Sequence, residues 1–218
     1  MILQALATVL TILQFFSPYS RVKELNQSTK STISFVSSFP FIMALTNATC
    51  WFIYGFVIGD DLLLLINVVC VSVSIYFVVV VYQHNEEKRK VRLVFYLFIF
   101  LYGSVLIGCN YVKQSTKNRI LGFISMSISL SSNASPCVMI RKIIKTKDSS
   151  ILVIHRIIAN GSSATVWCLY GLSINNKVVF LPSTISCCIS AILFFIYFLY
   201  RNADQDKNQK KANTDKVI

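Results

Sequence analysis

Seven apolar stretches joined by short polar connections occupy almost the whole chain: residues 2–18, 33–58, 62–82, 93–111, 120–140, 151–172 and 178–200. A bilayer core of about 30 Å takes about 20 apolar residues as a helix, and each stretch meets or approaches that length. Their continuity excludes an outer-membrane barrel, whose strands alternate in polarity over about 10 residues. A soluble enzyme, a secreted disulfide scaffold and a disordered chain are excluded as well. Of the 218 residues, 55% are hydrophobic and 14% charged, against roughly 25% charged in a soluble domain. The expected class is an all-α integral membrane protein with seven transmembrane helices. The first stretch lacks a basic leader region and a convincing cleavage motif, so it reads as a helix rather than a signal peptide.

The net charge of +12 would suit a nucleic-acid binder, but its placement argues for membrane topology. Seventeen of the 21 Lys and Arg lie on one set of connections and in the tail, among them Lys88, Arg89, Lys90 and Arg92, then Arg141, Lys142, Lys145 and Lys147. The opposite set holds Lys113, Lys117, Arg119 and Lys177. Positive charge gathers on the cytoplasmic side, which puts the C-terminus in the cytosol and the N-terminus outside. The sequons at Asn26, Asn47 and Asn160 fall in a cytosolic loop or within helices, so these three do not conflict with this orientation. Residues 201–218 are polar and charged and read as a disordered basic cytosolic tail. The seven Cys are scattered in apolar stretches without CxxC spacing. They read as small packing residues, and no metal or cofactor is expected.

The chain also repeats itself. Ser17-Pro18 recurs as Ser135-Pro136, Thr29-Lys30-Ser31 as Thr146-Lys147-Asp148, and Trp51-x-x-Tyr54-Gly55 as Trp167-x-x-Tyr170-Gly171, at offsets of 118, 117 and 116. Each copy spans three helices with a fourth between them. That even number of crossings gives both copies the same orientation in the membrane, a parallel repeat. The expected layout is two three-helix bundles joined by a linker helix (3+1+3). A first repeat covers residues 1–83, and residues 84–118 hold a cytosolic loop, the linker helix and an extracellular loop. A second repeat covers 119–200, and the tail is 201–218.

Two WxxYG motifs, each following a Pro and a basic loop inside this plan, resemble the SWEET (nodulin/saliva) family of sugar transporters. The spacings are closer to animal members. The likeness rests on residues 30–41, on Trp51 to Asp60 and Asn67, and in the second half on residues 134–136 and 145–147, Trp167 to Gly171 and Pro182. It implies a sugar transmembrane transporter, a passive bidirectional uniporter of mono- or disaccharides working by alternating access, and not an enzyme. Its partners would be a small sugar and the lipid bilayer, with homo- or hetero-oligomers and no nucleic acid. The plasma membrane is its expected location, with the Golgi or another endomembrane as the alternative. The chain departs from the family at Ser183, where a second Asn is usual, and at Asn176, where Asp is usual. A sixth-helix Pro is missing, with Val153 and His155 at the two candidate registers. Cys70 and Ser186 stand for glycines.

Sugars need aromatic surfaces for their C–H faces and mixed donors and acceptors for their hydroxyls, which Trp and Asn supply. The resemblance places Trp51, Asn67, Trp167 and Ser183 around the substrate. On a helix, Asn47 lies on the face of Trp51, and Ser163 on that of Trp167, so both are lining candidates. The rival reading makes the two Trp interfacial anchors and Asn67 an interhelical hydrogen bond. The family also implies hinges at Pro18, Pro40 and Pro136, with helix termination the rival reading for Pro18. It implies an extracellular gate of Tyr54, Asp60, Tyr170 and Asn176. The serines of the fifth stretch, residues 125–135, read mostly as close-packing residues. No acid lies deep in any stretch, which favours uncoupled transport.

Three other readings compete. A PQ-loop small-solute carrier shares the topology, but here the four prolines precede Tyr, Phe, Cys and Ser rather than Gln. A seven-helix receptor needs no repeat. A non-transporting subunit that hetero-oligomerises with active relatives would fit the substituted second half.

Overall fold

The structure, a computed structural model, describes residues 2–28, 32–132, 140–141, 143–147, 149, 152 and 154–214. Its helices are α1 (Ile2–Phe16), α2 (Tyr19–Gln27), α3 (Phe35–Ile58), α4 (Asp61–Gln83), α5 (Lys88–Gly108, running into a 3-10 turn at Cys109–Tyr111), α6 (Gln114–Ser132), α7 (Ile154–Ser173) and α8 (Lys177–Thr214). A short stretch at 143–146 is also helical. The only β pairing among the described residues is an isolated bridge between Ile33 and Asn85.

Among the described residues, four segments are long and apolar enough to cross a membrane: Phe35–Ile58, Asp61–Gln83, Lys88–Tyr111 and Lys177–Tyr200. The remaining three are shorter or more polar. α1 has 15 residues, because the chain turns at Ser17-Pro18 and Pro18 becomes the N-cap of α2. A proline has no N–H to continue the ladder, so the helix expected over 2–18 ends at Phe16, just before the turn. α6 is rich in Ser, and two of these side chains, Ser125 and Ser129, bond to α3 rather than facing lipid. A helix shielded in this way needs less apolar surface.

Two compact units divide the chain, residues 1–132 and 133–218. In the first, α4 packs against both α3 and α1, and α6 packs on α3. The sequence repeat assigns α6 to the second half, but its described residues pack with the first. Val22, Phe77 and Val80 form an apolar cluster with Leu25, Phe41 and Val73 where α2 meets α4. In the second unit α7 packs along α8, and Ile143, Leu152, Ile157, Leu193 and Ile196 form its core. The backbone of α8 continues through Thr214, where disorder was expected from residue 201. Helix extension costs little once a long helix exists, and this stretch contains Ala, Gln and Lys.

Polar groups clamp one end of the first unit. The strand-like pair at Ile33 is held by Ile33 N donating to His84 O (3.0 Å) and Glu86 N donating to Ile33 O (3.2 Å). The Asn85 amide donates to Ser38 Oγ, and Asn85 Oδ1 accepts from Glu87 N at 2.8 Å. Glu87 pairs with Lys90 and accepts from Phe35 N at 3.4 Å. The hydrogen bond from Lys90, aided by the Phe35 amide, holds the Glu87 carboxyl below its ordinary value.

Candidate functional site

Both halves build the same corner. α3 ends at Gly59, whose φ of +71° is left-handed. Asp60 then caps α4, with Oδ1 accepting from Leu63 N at 3.0 Å. In the second unit Asn175 takes the left-handed position, φ +50°. Asn176 follows, with Oδ1 accepting from Val178 N at 3.0 Å. Asp60 N donates to Gly55 O (3.0 Å) and Asn176 N to Gly171 O (2.9 Å). The expected gate residues Asp60 and Asn176 are thus helix N-caps, a role the sequence signals through an Asx residue directly before an apolar run.

The glycine of each WxxYG motif sits under the next helix. A Cβ on Gly55 would come within 2.9 Å of Leu63 Cβ, and one on Gly171 within 2.7 Å of Phe180 N. These glycines are therefore required for helix contact. Tyr54 and Tyr170 are 4% and 5% exposed. Each sets its ring edge-on to the neighbouring Trp. The centroids are 5.7 Å apart for Trp51–Tyr54 and 5.7 Å apart for Trp167–Tyr170, with interplanar angles of 79° and 85°. This edge-to-face contact fixes how each indole stands on its helix.

The third helices match too. Asn67, buried on α4, donates through Nδ2 to Leu63 O at 2.7 Å. Ser183, half-buried on α8, donates to Val179 O at 2.8 Å. Both side chains thus bond back one turn along their own helices. Among the described residues, no hydrogen bond joins Asn67 to Trp51 or Asn47. Ser163 is 3% exposed on α7.

Trp51 and Asn47 are brought together by a residue the sequence did not single out. Trp51 Nε1 donates to Ser129 Oγ at 2.7 Å, and Ser129 Oγ donates to Asn47 Oδ1 at 2.7 Å. One turn away, Ser125 Oγ lies 3.1 Å from Cys50 O. The i,i+4 spacing of Ser125 and Ser129 was the available signal, and close packing was the reading given to that stretch.

Of the hinge candidates, Pro18 sits at the α1–α2 turn and Pro40 inside α3. Pro136 and Val153 lie outside the described residues, as does the side chain of His155. Among the described residues no group of three His, Cys, Asp or Glu could hold a metal, and the six described cysteines are unbridged. A cleft of about 200 Å³ among Arg21, Leu25, Ser37 and Phe41 touches none of the sequence-predicted positions.

Comparison with known proteins adds the following. A family described as "Sugar efflux transporter for intercellular exchange" matches residues 1–89 and again 119–205. The two matches leave out most of α5. The chain is 27% identical over 214 residues to Bidirectional sugar transporter N3 of Medicago truncatula, covering 95% of this chain and 79% of that one. It is 28% identical over 177 residues to Bidirectional sugar transporter SWEET11 of Arabidopsis thaliana, covering 79% of this chain and 61% of that one. To SWEET15 of Oryza sativa subsp. japonica it is 28% identical over 202 residues, covering 90% of this chain and 63% of that one. The chain thus spans under two thirds of the length of the latter two. A 3.7 Å structure of a eukaryotic SWEET transporter superposes with a TM-score of 0.79 at 16% identity, covering 92% of this chain and 96% of that chain. This likeness establishes the fold, seven helices arranged as 3+1+3.

Proposed function

The chain belongs to the SWEET family of sugar efflux transporters, a family of carriers rather than enzymes, and we propose that it carries mono- or disaccharides passively in both directions by alternating access. The observation that supports this most is the duplicated corner. Each half presents an indole held edge-on by a Tyr, at Trp51 with Tyr54 and Trp167 with Tyr170. Each also has polar side chains on that helix and on the helix packed against it, Asn47 and Asn67 in one half, Ser163 and Ser183 in the other. An aromatic face beside hydrogen-bonding groups suits a sugar's C–H face and its hydroxyls.

In this reading those six side chains bind the sugar. Pro18, Pro40 and Pro136 allow the helices to bend, and Tyr54, Asp60, Tyr170 and Asn176 form the extracellular gate. The repeats keep the boundaries 1–83 and 119–200, with residues 84–118 linking them. The N-terminus faces outside and the C-terminus the cytosol, and the plasma membrane is the proposed location. Association with copies of itself or with relatives is part of the same reading. The absence of acids deep in the apolar stretches supports uncoupled transport, since a coupling ion must be bound at depth. Uptake of labelled mono- and disaccharides into vesicles carrying the purified protein tests the proposal. Accumulation to equilibrium that persists when the proton gradient is collapsed is expected; strict dependence on that gradient would refute uniport.

One observation favours a second reading. Ser183 offers a single hydroxyl where the family usually has an amide, and that hydroxyl already bonds to Val179 O. A subunit that assembles with active relatives without transporting would show no uptake alone.

A further inference from the structure

The three-residue contact between α3 and α6 has a direction. An indole N–H only donates, so Ser129 Oγ accepts from Trp51, at 2.7 Å. The Ser129 hydroxyl is then left with its own proton to place, and its other side-chain neighbour, 2.7 Å away, is the Asn47 amide. Turning that amide over would aim its NH₂ at an oxygen already receiving the indole N–H, and the serine proton would lose its acceptor. The order Trp51 N–H to Ser129 O–H to Asn47 C=O satisfies the indole N–H, the serine proton and the amide oxygen, and bonds in such a chain strengthen one another. Asn47 is therefore held with Oδ1 toward Ser129 and Nδ2 away from it. Among the described residues Nδ2 has no hydrogen-bond partner, and Asn47 is half-buried.

We infer that Ser129 is a positioning residue that locks the Trp51 indole and turns Asn47 so that its free Nδ2 donors are what the first half offers its ligand at this point. The inference rests on the sugar-carrier reading for the ligand, and on the geometry alone for the relay. A free NH₂ selects an oxygen that accepts: a ring oxygen, a glycosidic oxygen, or a hydroxyl whose own proton goes elsewhere. The corresponding residue in the second half, Ser163, is a hydroxyl that both donates and accepts, so the selection belongs to one half only. Ser125 provides the contrast. Its Oγ reaches two backbone carbonyls, Cys50 O at 3.1 Å and Leu121 O at 2.9 Å, and no side chain of the site.

The chain has two Trp, so Trp167→Phe leaves Trp51 as the sole indole in the full-length protein. In that background, ultraviolet resonance Raman of the indole N–H mode reads the relay directly. Ser129→Ala should shift the mode to the value of a weaker hydrogen bond, while Ser129→Thr and Ser125→Ala should leave it in place. An unshifted mode in Ser129→Ala overturns the relay, whatever the protein transports.

With Trp167 intact, transport reads the consequence. Ser129→Ala should raise KM for the transported sugar roughly three- to tenfold, the effect of losing one net hydrogen bond, with the maximal rate per surface molecule retained. Ser129→Thr should restore it. A panel of deoxy and deoxyfluoro analogues separates donor from acceptor roles, because fluorine accepts weakly and hydrogen not at all. The native chain should tolerate fluorine better than hydrogen at one ring position, and Ser129→Ala should narrow that gap. Equal intolerance of both in the native chain, or the same KM change in Ser125→Ala, overturns the positioning role. A native chain that moves no sugar overturns the sugar reading together with the ligand half of this inference, and leaves the Raman result to decide the relay.

Discussion

At the scale of single residues, the two glycines of the repeated motif are the most constrained positions. Alanine at Gly171 would drive its Cβ to 2.7 Å from Phe180 N and 2.9 Å from Phe180 Cα, and alanine at Gly55 to 2.9 Å from Leu63 Cβ. Backbone atoms cannot step aside as a flexible side-chain end can, so the helices must part. Overpacking of this kind costs about 1–3 kcal/mol. Gly171→Ala and Gly55→Ala should each lower the melting temperature of the purified protein in detergent, Gly171→Ala by more. Gly103→Ala, with nothing within 4 Å of its added Cβ, should not. A second prediction concerns the paired polar positions. Asn67 is the remaining amide of the pair, so Asn67→Ala should abolish measurable uptake at equal surface expression. Ser183→Asn should preserve or raise it by restoring an amide. Normal transport by Asn67→Ala would remove Asn67 from the site.

At the scale of elements, the two third helices are capped unequally. Asp60 brings a full negative charge to the start of α4, and Asn176 brings only a dipole to the start of α8. A carboxylate at a helix N-terminus contributes about 0.3–1 kcal/mol more than a neutral cap through the macrodipole. Asn176→Asp should therefore raise the melting temperature slightly at neutral pH, and the gain should shrink in high salt. The clamp between residues 32–38 and 84–87 responds to pH in a determined direction. Lys90 and the Phe35 amide stabilise the charged form of Glu87, so its carboxyl titrates below the ordinary value in the folded chain. The contribution is present above the unfolded value and is lost as pH falls through the folded one. Amide exchange in residues 32–38 should quicken across that acid range in the native protein. In Glu87→Gln the pH-dependent increment should be absent. The Glu87 side chain is 37% exposed and its pairing with Lys90 is screened by solvent, so the effect is local and has little bearing on overall stability.

At the scale of the whole molecule, orientation follows from charge placement. In the proposed orientation, with the N-terminus outside, a membrane-impermeant maleimide should label Ser115→Cys in intact cells and Arg89→Cys only after permeabilisation, with native-chain labelling as the baseline. The reverse pattern would invert the topology. Ser115 and Arg89 are both exposed, so failure to label would not come from burial.

The class, the seven apolar segments, the repeat and the family resemblance were legible in the chain itself, because length, hydropathy and recurring motifs are one-dimensional properties. Trp51, Trp167, Tyr54 and Tyr170 stood out for the same reason. What each residue touches was not legible. The turn at Pro18 and the caps at Asp60 and Asn176 are local and had signals in the chain, whereas the close approach under Gly55 and Gly171 depends on where the next helix lies. The serine that joins Trp51 to Asn47 is 78 residues from the indole and 82 from the amide. A serine-rich helix gives no sign of which hydroxyl will meet a donor-only indole. Only the packing of α6 on α3 sets that distance, and only the valence of the groups then sets the direction of the proton.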